Sequence, residues 1–112
     1  MEATRDYPSL IKRVLEEYTR YPPSHGQIDT LPVYDDERGQ YLVLSIGWDG
    51  TRRIHGVLAD IRLVEGKIWI EHDGMPPPGL ALALVDAGVS KEAIVLAFHH
   101  PNVRPLTEFA VA

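Results

Sequence analysis

The sequence contains no cysteine. Disulfide bridges, thiolate nucleophiles and cysteine-ligated zinc sites are therefore excluded outright. It has no apolar run near the ~20 residues that a bilayer-spanning helix needs. Its first residues, MEATRDYPSL, lack the basic-then-apolar order of an export signal, so a cytoplasmic location is expected. Positive charge is in deficit as well. Eleven Lys and Arg stand against 16 Asp and Glu, a formal net charge of -5. Proteins that grip nucleic acid generally carry a basic field that displaces counterions from phosphates, so this balance argues against strong direct DNA affinity. No Ser or Thr sits in a nucleophile elbow, and no HExxH or similar ligand spacing occurs. No catalytic residue, cofactor or metal is expected.

What is present reads as one domain over residues 1–112. Tyr7, Leu10, Ile11, Val14, Leu15 and Tyr18 recur at the offsets of one helical face. Asp6 is the expected N-cap and Pro8 is tolerated in the first turn, while Pro22 and Pro23 would stop the helix. Residues 27–34 predict a strand, and Pro32 inside it, unable to donate to a ladder, marks an edge or a bulge. The polar run DDERG (35–39) turns the chain into a second strand, QYLVLSIGWD (40–49). Asp49-Gly50 predicts a hairpin turn. A long strand over 51–64 follows, with Gly56 a candidate bulge. Glu65-Gly66 turns into a strand over 67–72. After the proline loop DGMPPPG (73–79) come a short helix over 80–87, a helical turn from Ser90 and a fifth strand over 94–98. Leu106, Phe109 and Val111 suggest that the C-terminal segment docks. The expected fold is α+β: a long N-terminal helix packed on a mostly antiparallel sheet of about five strands, with a short second helix.

Two-residue turns fix register. Turns at 49–50 and 65–66 place Leu42, Leu44, Ile46, Val57, Ala59, Ile61, Leu63, Ile68 and Ile70 on a core face. The opposite face then carries Tyr41, Val43, Ile54, Leu58, Asp60, Arg62, Trp69 and Glu71. Its mixture of aromatic, arginine and apolar side chains suits a protein interface. Tyr41, Leu58, Asp60, Arg62, Trp69 and Glu71 are the candidate partner-binding residues. Arg62 opposite Trp69 permits a cation–π contact, while Asp60 opposite Glu71 is a like-charge pair that needs an offset. That carboxylate pair is better read as an ion-pair partner than as an acid–base couple. His55 and His72 are expected near the edge of the core face as structural histidines. Arg52, Arg53, Arg62 and Lys67 form the most basic region and the candidate nucleic-acid patch. Exposure of Tyr41, Leu58 and Trp69 would leave an apolar patch, so a homo-oligomer, a dimer, is expected.

DDERGQY (35–41), SIGWDGTRRIHG (45–56), GKIWIEHDG (66–74), AGVSKEAIVLAFHHP (87–101) and TEFAVA (107–112) together resemble the XisI family, the controlling factors for excision of the fdxN element. The resemblance runs through essentially the whole chain at near-constant spacing. It departs at Asp60-Ile61-Arg62, where the family often has His-Ile-Asp. It implies a non-enzymatic accessory role beside a XisH-like partner protein in programmed DNA excision, and supplies no catalytic residues. Direct DNA binding through the basic hairpin is the alternative.

Overall fold

The computed structural model describes residues 6–20 and 27–112. Helix α1 spans Tyr7–Thr19. Asp6 caps it as expected, its carboxylate accepting from the Ser9 amide at 3.1 Å and the Ser9 hydroxyl at 2.7 Å. At 13 residues the helix is of ordinary length, about 20 Å at 1.5 Å per residue, rather than long. The two prolines expected to end it, Pro22 and Pro23, lie outside the described residues.

Strands β1 (Gln27–Asp35), β2 (Gln40–Asp49), β3 (Arg52–Val64), β4 (Lys67–Asp73) and β5 (Ile94–Leu96) form one sheet in the order 1-2-3-4-5. The first four pair antiparallel, and β5 joins β4 in parallel. Pro32 lies in the edge strand β1, where its missing N–H costs no ladder bond on the outer side. Helix α2 (Leu80–Asp86) follows the proline loop and packs against α1 and β4. Its start is held from the sheet: Asp73 accepts from the Met75 amide at 3.0 Å and from the Leu80 amide at 2.9 Å. The architecture is the α+β fold expected.

Both helices cover the same sheet face. Leu10, Ile11, Val14 and Leu15 of α1 and Leu80 and Leu84 of α2 form one buried cluster with Tyr41, Val43, Ala59, Ile61, Ile68 and Ile70. Tyr41 and Val43 therefore belong to the core, contrary to their expected place on the opposite face. Leu42, Leu44, Ile46 and Val57 point away from it, which corrects the expected core list.

One residue causes the exchange. Val43 pairs with Ala59 and Leu44 pairs with Val57, which leaves Leu58 as an extra residue in β3. A bulge offsets the two-residue period, so side chains before and after it change faces. Sequence reasoning places a bulge at Gly56; the structure places it two residues later. The expected association of Leu42, Leu44 and Val57 on one face is correct, and the link to Ala59 and Ile61 is not. The hairpin turn also shifts: Trp48 pairs with Arg53, so the loop is Gly50-Thr51 rather than Asp49-Gly50. Gly50 supplies the positive φ, 64°, at the first central position. The turn at Glu65-Gly66 stands where expected, with Leu63 opposite Ile68 and Ile61 opposite Ile70.

A small polar network fastens α1 to the sheet end. The buried Tyr41 ring sends its hydroxyl out to donate to Asp36 at 2.9 Å, and the Lys12 ammonium donates to the other oxygen of Asp36 at 2.7 Å. The Lys12 hydrogen bond, and next that of Tyr41, holds the Asp36 carboxyl below its usual range. Burial, and next the Asp36 hydrogen bond, pushes the Tyr41 phenol up to about 12.

Two predictions follow from this core. The Tyr41 pKa is higher in the folded than in the unfolded chain, so its contribution is complete below pH 10 and is lost as pH rises towards 12. Thermal melts should therefore fall through that alkaline window, and Tyr41→Phe should flatten part of the fall. For the bulge, Leu58→Ala should retain the fold and cost about 1–2 kcal/mol in urea unfolding. Deleting Leu58 should leave a folded chain that still unfolds cooperatively, because Val57 and Ala59 would then follow one another opposite Leu44 and Val43 in unbroken register.

Candidate partner-binding face

The sheet face turned away from the helices divides in two. On the β3–β5 half, Arg62 of β3 pairs with Trp69 of β4, as expected. Here a second bulge intervenes. Ile61 pairs with Ile70 and Asp60 with His72, leaving Glu71 as the extra residue. The like-charge pair Asp60–Glu71 expected from simple register is thus not formed. Glu71 instead lies 3.6 Å from the Arg62 guanidinium. Asp60 accepts from the Gln40 amide nitrogen at 3.1 Å. Each carboxylate has its own donor, and the electrostatic penalty disappears.

The cation over Trp69 is Arg104, not Arg62. Its guanidinium carbon stands 5.4 Å from the ring centroid. The guanidinium also donates to the carbonyls of His99 (3.0 Å), Ala97 (3.2 Å) and Val111 (3.3 Å). Arg104 lies in a 3-10 turn, Arg104–Leu106, of the C-terminal segment. Together with the Ala110 amide, which donates to Ile94 O at 2.9 Å on the free side of β5, it docks that segment on the sheet. The segment docks as expected, with Phe109 packed against the core and Arg104 and Ala110 adding hydrogen bonds. Leu106, expected to help anchor it, is 84% exposed.

Arg62, Val64, Trp69, Glu71, Ala97 and Arg104 line a depression of about 360 Å³. Of the six expected partner-binding residues, Arg62, Trp69 and Glu71 therefore converge, with Asp60 beside them on the same face. Tyr41 is fully buried in the core and Leu58 packs against it from the bulge, so neither belongs to the surface. Arg104 and Ala97 are additions that sequence reasoning missed. Their only advance signal was the expectation that the C-terminal segment docks.

The four basic residues expected to form one patch are separated. Arg52 and Arg53 occupy the β2–β3 hairpin end, nine residues from Arg62, roughly 30 Å along the strand. Each has an acceptor or a ring: Arg52 meets Asp49 at 3.4 Å, and Arg53 lies 5.1 Å over Trp48 and donates to Gly47 O at 3.3 Å. Arg62 meets Glu71, and Lys67 donates to the Ala112 carbonyl oxygen. His55 pairs with Ile46 on the outer face and His72 with Asp60, both exposed, not on the core face as expected. Among the described residues, no group of three or more His, Asp or Glu is arranged to hold a metal ion. No helix among them is long and apolar enough to cross a membrane.

The β1–β3 half of the face is different in kind. Register aligns Leu31 with Leu44 and Val57, and Val33 with Leu42, while Ile46 and Trp48 continue the same side of β2. Leu31, Val33, Val57 and Trp48 are 43–49% exposed. Among the described residues nothing covers this strip.

A depression of about 430 Å³ also lies between α1 and α2, lined by Arg13, Val14, Glu17, Tyr18, Ala83 and Asp86. No polar side chain among the described residues is buried, so none is aimed into it from the core.

Fold and surface together define a small α+β protein with two helices on one sheet face and the other face turned outward. The chain belongs to the XisI family: the family model described as XisI protein matches residues 1–111. A XisI-like protein from Anabaena variabilis is 31% identical, with 95% of this chain and 96% of that chain covered and a TM-score of 0.85. The fdxN element excision controlling factor XisI from the same organism is 34% identical over 95% of this chain and 96% of that one, with a TM-score of 0.77. No match is found among curated proteins.

Arg104 ties the C-terminal segment to Trp69 and to three carbonyls. Arg104→Ala should lower stability by about 1.5–3 kcal/mol, the range for hydrogen bonds made by a charged group. Amide exchange should rise selectively over residues 97–112, while α1 remains protected.

Proposed function

We propose that this chain is a non-enzymatic controlling factor for programmed excision of a DNA element, working in the cytoplasm by binding a XisH-like protein. The observation that carries the role is its likeness to the fdxN element excision controlling factor XisI, 34% identical over 95% of this chain. The β3–β5 half of the outer face supports contact as the means. An exposed arginine, a half-buried tryptophan and a carboxylate around one depression have the composition of an interface anchor. Arg104 fixes the indole in place beforehand, so little side-chain entropy is lost on association.

A non-enzymatic role fits the carboxylates. Glu71 is engaged by Arg62 and Asp60 by Gln40, so the two carboxylates do not form a pair. Direct DNA binding is the weaker reading, because the candidate cations are dispersed over β3 and β4 and each already has a partner.

The test is co-purification with a XisH-like protein. A complex should form at micromolar concentration, and Arg62→Glu should weaken it about tenfold by setting a second carboxylate beside Glu71. Labelled duplex DNA should show no salt-dependent shift with this protein alone. Absence of a complex at those concentrations would overturn the proposal.

A further inference from the structure

The hollow around Trp69 is unevenly supplied with hydrogen-bonding groups. Its walls are Arg62, Val64, Trp69, Glu71, Ala97 and Arg104. The two guanidiniums and the indole can only donate, and among these side chains the Glu71 carboxylate alone accepts. We infer that the hollow receives a carboxylate, carried by an acidic side chain on the surface of the protein partner. This rests on the partner reading above and names the chemical group that enters.

The donors are not exhausted within the chain. Arg62 stands 3.6 Å from Glu71, longer than a hydrogen bond, and its side chain is 51% exposed. Neither Arg62 nor Trp69 donates to another described residue, and no buried side-chain nitrogen lacks a partner, so their N–H groups are open to water. Arg104 uses three N–H groups on the carbonyls of His99, Ala97 and Val111, which leaves two of its five. Those same bonds hold its guanidinium 5.4 Å from the indole centroid. The second cation is therefore in place before any ligand arrives, and association need not order it.

Charge agrees with the donor count. Arg62 and Arg104 against Glu71 leave the lining at +1, in a chain whose net charge is -5. Asp60, the next outward residue of β3, does not line the hollow and already accepts from Gln40 at 3.1 Å. A carboxylate brings one negative charge and two oxygens, and the flat fork of an exposed arginine receives both oxygens side by side. Val64, Ala97 and the indole supply an apolar wall for the methylenes that carry a glutamate carboxylate. A hollow of about 360 Å³ has room for one such side chain.

The two tryptophans provide an internal control. Trp48 also has an arginine over its ring, Arg53 at 5.1 Å, but lies outside the hollow. The probe is a blocked glutamate, acetylated and amidated so that its side chain holds its only charge. In proton–nitrogen NMR spectra of the full chain it should shift the Trp69 indole N–H saturably, with a Kd on the order of 10 mM, and leave Trp48 in place. The blocked glutamine should bind about tenfold more weakly, and Arg62→Gln should cost the glutamate probe about as much with an unchanged circular dichroism spectrum. Equal shifts at both tryptophans, equal binding of the glutamine probe, or tighter binding of inorganic phosphate would overturn the inference. With the XisH-like protein, Arg62→Gln should weaken the complex about tenfold. A complex indifferent to Arg62→Gln would overturn the inference and leave the partner reading standing. Selective binding of the glutamate probe without any such complex would overturn that partner and support the carboxylate site.

Discussion

The molecule depends on one surplus residue in its longest strand. Without the bulge at Leu58, regular alternation of β3 would carry Val57, Ala59 and Ile61 to the same side, and the helices would have to cover all three. With it, Ala59 and Ile61 stay under α1 and α2 while Val57 turns outward. The bulge also brings Tyr41 and Val43 of the neighbouring strand into the core, because paired residues share a face. Tyr41 then delivers its hydroxyl to Asp36, where Lys12 of α1 also arrives. Helix attachment, core composition and the apolar character of the outer face thus follow from a single irregularity of register.

Glu71 repeats the device on a smaller scale. Standing outside the ladder, it is free to reach Arg62, and Asp60 is left to Gln40. In unbroken register, two carboxylates would have faced each other across β3 and β4. The bulge removes that repulsion at the cost of one residue's pairing, and in doing so assembles the rim of the depression around Trp69. Bulges often mark places where a strand re-aims a side chain for use, and both bulges here re-aim residues that shape the outer surface.

Element types and nearly all their boundaries were legible in the sequence, because apolar period, proline position and turn residues agree along the chain. The α1 stripe, the strands on either side of Glu65-Gly66 and the Asp6 cap needed only local chemistry. The faces of β2 were not legible. A bulge at Leu58 leaves no local mark: leucine is not a turn residue, and the flanking Val57 and Ala59 fit either side. Gly56 offered a false one, since glycine is the usual sign of a bulge. The position of Arg104 was hidden for another reason. It acts through tertiary contact with Trp69 and three carbonyls, thirty-five residues or fewer away, and nothing in its neighbours announces that. The charge patch failed because closeness in sequence along an extended strand still means separation: nine residues of β3 cover most of the sheet's length.

The two halves of the outer face are built on opposed principles, and the sheet's connectivity explains why. On the β4–β5 side, residues 97–112 fold back over the sheet. Arg104 stacks on Trp69 and Ala110 extends the edge of β5. That half is consequently finished with polar groups already in contact, and presents a small shaped hollow. Among the described residues the β1 side of the sheet receives no such cover, since both helices are committed to the core face. Its outward leucines, isoleucine and valines are β-formers of the kind that stabilise a strand by packing against cross-strand neighbours. Leu31, Leu44 and Val57 supply that packing to one another across three strands even in the isolated chain.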